Sequence, residues 1–167
     1  QKVNEMNKTE LKQNITKIEK LLQSEHYEAG VELIKTLDNP EITKGTFGAV
    51  VDRVKKLVEK QDSDEWNYSG IELAKKFNET EIFEAITFLD FTETQLPPFL
   101  DKFRNLTFLS FGYCESSDGY ICGELDECIK LEHLVLEELP NQQHFDGIPM
   151  QNLKTIELRY LQYFDNL

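Results

Sequence analysis

The chain is poor in the residues that would let covalent bonds or obvious chemistry define it. Its three cysteines, Cys114, Cys122 and Cys128, are an odd number and form no CxxC pair, which argues against a disulfide framework and suits reduced thiols in the cytoplasm. Its eight glycines include no phosphate-cradling loop. No hydrophobic run approaches a membrane span, and no secretory leader is visible. Basic residues are outnumbered, 18 against 31 acidic, for a net charge of −13. A field of that sign repels phosphate backbones and anionic lipid, so neither nucleic acid nor a membrane is an expected partner, and basic protein surfaces are favoured.

Candidate chemistry fails on spacing. Cys114, Cys122, Cys128, His133 and His144 match no zinc pattern built on paired short loops. Asp62-Ser63-Asp64 opens like a calcium loop, but Asn67 stands at the sixth position in place of Gly and Leu73 at the twelfth in place of Glu. Nothing nominates a cysteine and histidine nucleophile pair. The expectation is a protein that is not an enzyme, with no catalytic residue, no metal and no cofactor.

What is present is periodicity. The second half repeats one apolar phrase four times: Ile86-x-x-Leu89-x-Phe91, Leu106-x-x-Leu109-x-Phe111, Leu131-x-x-Leu134-x-Leu136 and Leu153-x-x-Ile156-x-Leu158. Successive starts lie 20, 25 and 22 residues apart. Such a period marks stacked short strands, because one strand cannot bury its apolar side alone and gains a core only beside its neighbours.

Here the chain resembles the leucine-rich repeat family, in its bacterial type. Leu96-Pro97-Pro98-Phe99-Leu100-x-x-Phe103-Arg104-Asn105 looks like the family's return segment, and Ile121-Cys122-Gly123-Glu124-Leu125-x-x-Cys128 is a weaker version with Cys122 where the proline would stand. Eight residues after each first apolar position, where the family often has Asn or Cys, stand Thr94, Cys114, Leu139 and Leu161; only Cys114 matches. The resemblance implies a curved parallel sheet whose strand face binds proteins or peptides.

Alternation across each strand fixes which side chains face out. The outward columns should be Phe88, Phe108, His133 and Thr155; then Asp90, Ser110, Val135 and Glu157; then Thr92, Gly112, Glu137 and Arg159. Two neighbouring phenylalanines on an exposed face suggest a contact site, so Phe88 and Phe108 are the expected anchors. Asp90, His133, Val135, Glu137, Glu157 and Arg159 complete the expected binding set, and Glu93, Glu132 and Glu138 add acid beside the strands. The alternative is that the helical first half covers the two rings as core.

The first half repeats in another key. Ala29-Gly30-Val31-Glu32-Leu33-x-Lys35-x-Leu37-Asp38-x-x-Glu41-Ile42 returns forty residues later as Ser69-Gly70-Ile71-Glu72-Leu73-x-Lys75-x-Phe77-Asn78-x-x-Glu81-Ile82. Amphipathic patterns precede both copies, Leu11, Ile15, Ile18 and Leu22 before the first, and Val50, Val51, Val54, Leu57 and Val58 before the second. Two helix pairs, about four helices in all, are expected, and their period resembles HEAT-like stacking.

The expected fold is therefore an α/β solenoid: an α-helical repeat or cap over residues 1–83, stacked on about four leucine-rich repeats over 84–167. No Pro, Gly or Ser-rich linker separates the halves, and the helical half is expected to cap the open edge of the sheet. Charge divides unevenly, with 13 basic and 16 acidic residues in 1–83 but 5 and 15 in 84–167. The expected function is non-catalytic binding of a protein or peptide, with a basic partner favoured. The alternative is a substrate-targeting or regulatory fragment of a larger enzyme or effector. A cytoplasmic location is expected; secretion with a removed leader is the alternative, because the sequence opens on Gln1 and Asn7, Asn14, Asn67, Asn78 and Asn105 each begin an N-x-S/T triplet.

Overall fold

The structure, a computed structural model, describes residues 5–60, 69–91, 99–112, 125–137 and 149–159. Thr92 to Pro98, Cys114, Cys122, Asp62-Ser63-Asp64, Asn67, Glu138, Leu139, His144 and Leu161 lie outside them. The chain divides into two compact units, Gln1–Leu57 with Tyr68–Ile82, and Val58–Asn67 with Phe83–Leu167.

Five helices occur among the described residues: α1 (Lys8–Gln23), α2 (Tyr27–Leu37), α3 (Pro40–Glu59), α4 (Ser69–Lys75) and α5 (Glu79–Ala85). Asn7 starts α1 as a reciprocal cap: its Oδ1 accepts the Glu10 N–H at 2.9 Å and its Nδ2 donates to Glu10 Oε1 at 3.0 Å. Ile18 and Leu22 of α1 are buried, with Leu11 and Ile15 half-buried beside them. Helix α2 comes close enough that a Cβ on Gly30 would stand 3.1 Å from Leu22 Cγ and 3.3 Å from the Ile18 carbonyl oxygen. Only a hydrogen fits that gap without displacement.

The expected four helices become five because the duplicated phrase straddles a turn. In the first copy α2 ends at Asp38, whose left-handed backbone (φ 45°) stops the helix, and Asn39 Oδ1 then accepts the Glu41 N–H at 2.9 Å to open α3. In the second copy Asn78 Oδ1 accepts the Glu81 N–H at 3.5 Å and opens the separate helix α5. The equivalent residues Gly30 and Gly70, Val31 and Ile71, and Ile42 and Ile82 are buried in both copies. Phe47 and Phe77 pack with ring centroids 6.1 Å apart, and Arg53 lies over the Tyr27 ring at 5.0 Å. Asn7 and Asn78, two of the N-x-S/T asparagines, are thus helix caps.

The second unit carries four strands, β1 (Phe88–Phe91), β2 (Phe108–Gly112), β3 (His133–Glu137) and β4 (Thr155–Arg159), in one parallel sheet of order β1-β2-β3-β4. Each strand coincides with one copy of the apolar phrase. The register pairs Phe88 with Phe108, Phe108 with His133 and His133 with Thr155, and it reproduces the other expected columns over the described residues. On the inner face Leu89, Phe91, Leu109, Phe111, Leu134 and Leu136 are fully buried. Ile156 departs from this pattern at 40% exposure. It lies in the last strand of the order, with a paired strand described on one side only.

The backbone repeats as regularly as the side chains. A tight turn precedes every strand, with the N–H groups of Ile86, Leu106, Leu131 and Leu153 donating to the carbonyls of Phe83, Phe103, Cys128 and Met150 at 3.1–3.3 Å. One carbonyl before each of the first three strands then accepts two N–H groups from the next repeat: Thr87 from Thr107 and Phe108, Thr107 from Glu132 and His133, Glu132 from Lys154 and Thr155. Asparagines tie the repeats together just ahead of the strands. Asn105 Nδ2 donates to the Glu84 carbonyl at 2.9 Å, and Asn152 Nδ2 to the Ile129 carbonyl at 2.7 Å. Behind the sheet pack Leu100, Phe103, Leu106, Leu125, Cys128 and Leu131, all fully buried. At the outer edge of β1 the Asp90 N–H donates to Glu59 Oε1 at 2.9 Å. No helix among the described residues is long and apolar enough to cross a membrane.

Candidate functional site

Parallel pairing sets neighbouring strands about 4.8 Å apart, so identical side chains in one column can stack. Phe88 and Phe108 do so, with centroids 4.2 Å apart and planes 8° from parallel. Phe88 remains 43% exposed and Phe108 half-buried. The stack restricts both rings while keeping apolar surface in solvent, an arrangement that costs less ordering on binding than a lone flexible ring.

His133 continues the column beside Phe108, and its Nδ1 lies 2.7 Å from the Thr155 hydroxyl. Its Nε2 is 3.9 Å from a Glu132 carboxylate oxygen, and Glu132 also pairs with Lys154 at 3.1 Å. In the next column Asp90 is exposed, Ser110 half-buried and Glu157 exposed. Val135 was expected to be exposed there and is instead 7% exposed. The register explains this, since a short branched side chain stands among the longer His133 and Glu137 of its own strand and Glu157 of the next.

Glu137 lies opposite Arg159 in register, yet Arg159 turns along its own strand and donates from Nε to Glu157 Oε1 at 2.7 Å. That hydrogen bond, aided by the guanidinium charge, holds the Glu157 carboxyl below the usual carboxylate range. Both groups are exposed, so the pair adds little to stability. The eight expected residues thus share one sheet face, with an aromatic row along one side and carboxylates along the other.

Cys128 is shaped for packing. Its thiol is fully buried and donates to the carbonyls of Leu100 at 3.4 Å and Phe103 at 3.7 Å. Burial, followed by the negative charges of Asp101 and Glu127, pushes it up to about 12, far from the thiolate a nucleophile needs. Among the described residues no group of three or more His, Cys, Asp and Glu side chains could hold a metal ion.

Glu59 and Asn105 carry no site or ladder expectation from the sequence, whereas Glu132 belongs to the acid expected beside the strands. Glu59 lies 31 residues from the strand it contacts, and no local pattern announces it. Asn105 and Asn152 did carry a signal, since each immediately precedes a repeat's first leucine. Compared with protein-family models, with curated proteins and with solved structures, the chain matches none.

Proposed function

We propose that this chain is a leucine-rich-repeat-type α/β solenoid with a HEAT-like helical leader, and that it acts as a non-catalytic protein-interaction module. The partner, a protein or peptide, lies on the strand face against Phe88 and Phe108, with Asp90, His133, Val135, Glu137, Glu157 and Arg159 around them. The stacked and partly exposed Phe88–Phe108 pair carries this reading, because rigid aromatic anchors supply most of the energy of an interface. The recurring turn, the doubly accepting carbonyls and the asparagine ties favour stacked repeats. The buried, reduced Cys128 is compatible with a cytoplasmic setting.

The test compares the wild-type chain with the double variant Phe88→Ala, Phe108→Ala in affinity capture from the native cell, at low and high salt. Capture lost in the variant, with its circular dichroism unchanged, supports the strand face. Equal capture by both proteins moves the site elsewhere on the molecule.

A further inference from the structure

Along β2 the binding face descends. Its outward positions shrink in size, from the phenyl ring of Phe108 to the hydroxymethyl group of Ser110 and then to a glycine, Gly112, over about 13 Å of strand. Neighbouring strands flank this step: Asp90 stands next to Ser110 on one side and the buried Val135 on the other, and Glu137 stands next to Gly112. The register thus sets small side chains of β2 beside an aromatic pair at one end, with the carboxylates of Asp90 and Glu137 on the flanking strands.

Those surfaces match the two parts of a long basic side chain. An aliphatic stem gains by covering apolar surface, and its charged head gains by reaching a carboxylate in solvent. Among the described residues of these columns the one cation, Arg159, is engaged by Glu157 at 2.7 Å, and Glu137 has no ion pair. Charge on the wider surface agrees, since residues 84–167 hold 5 basic groups against 15 acidic. An acidic segment would meet Asp90, Glu137 and Glu157 as like charges.

Resting on the reading of the strand face as the binding surface, we infer that the partner presents a basic segment, with a lysine or arginine side chain laid over Ser110 and Gly112 and its head between Asp90 and Glu137. The carboxylates fix which segment enters, and the phenylalanines hold it.

The test is fluorescence anisotropy with a labelled peptide of alternating glycine and arginine, and with its glutamate counterpart. The arginine peptide should bind the wild-type chain and the glutamate peptide should not. Glu137→Gln and Ser110→Lys, the latter placing a cation of the chain's own beside Asp90, should each weaken binding roughly ten-fold. A control pair, Glu84→Gln with Asp101→Asn, removes two negative charges away from this face and should leave binding unchanged. Equal weakening by the control overturns the inference in favour of a diffuse field. Absence of arginine-peptide binding, with partner capture still lost on replacing the two phenylalanines, overturns the basic segment and leaves the binding face standing. Arginine-peptide binding that neither Ser110→Lys nor the double phenylalanine variant alters overturns both.

Discussion

The Cys128 thiol donates to the Leu100 carbonyl at 3.4 Å, joining equivalent turns of successive repeats. The cysteine occupies the position that Phe103 fills one repeat earlier, 25 residues before it. A small side chain at that level is supplemented by a hydrogen bond where the larger one relies on contact alone.

The elevated thiol fixes a pH dependence. Its folded value of about 12 exceeds the ordinary 9.0, so the folded state keeps a proton that the unfolded state releases. Its contribution is complete below pH 9 and falls as pH rises towards 12, by about 1.4 kcal/mol per pH unit. Urea titrations of wild type and Cys128→Ala should show their stability gap narrowing above pH 9. In the native protein at pH 8, mass spectrometry should find the peptide containing Cys128 unalkylated by iodoacetamide until denaturant is added.

Leu109 and Leu134 lie in the two central strands and are fully buried. Replacement of either by alanine should cost about 2–5 kcal/mol, from lost burial and the cavity left behind. Phe88→Ala forfeits mainly its ring stack and should cost about 0.5–1.5 kcal/mol. Denaturation midpoints should separate the leucine variants from the phenylalanine variant. Equal losses in all three would make Phe88 a core residue.

Asn105 donates to the Glu84 carbonyl and accepts from Lys130 Nζ at 2.8 Å. Asn105→Ala removes the tie to Glu84 and should destabilise by about 0.5–1.5 kcal/mol, the net worth of an ordinary hydrogen bond. Hydrogen exchange should quicken at the Thr107 and Phe108 amides, which bond to the adjacent Thr87 carbonyl. Lys130→Ala, which leaves the Asn105 donor in place, should leave those amides protected.

The strands and their register were legible because alternation and repeat spacing act together. Once Leu89, Leu109 and Leu134 share a level, Phe88 and Phe108 must meet on the opposite face. Helix number was harder to read. Gly30 to Ile42 looks like one amphipathic phrase, and its break depends on a single left-handed residue, Asp38, followed by the Asn39 cap. The Asn78-Glu79-Thr80-Glu81 run has two meanings in sequence, an N-x-S/T triplet and a helix cap, and the structure shows the cap. Burial of Val135 depends on the lengths of its neighbours, which a column of outward positions does not weigh. The asparagine ties carry no family signal, because the family's asparagine stands eight residues after each first leucine, while Asn105 and Asn152 stand one residue before it.

The Asp90 amide at the margin of β1 illustrates how sheet growth can be refused. An incoming chain that extends a sheet offers carbonyls to the amides along its border, and here Glu59 already occupies one of those places. The blocking group belongs to the end of α3, so it would stay in place however the strand's own residues varied. One glutamate thereby separates two properties that edge strands usually couple, an orderly backbone and an appetite for other chains.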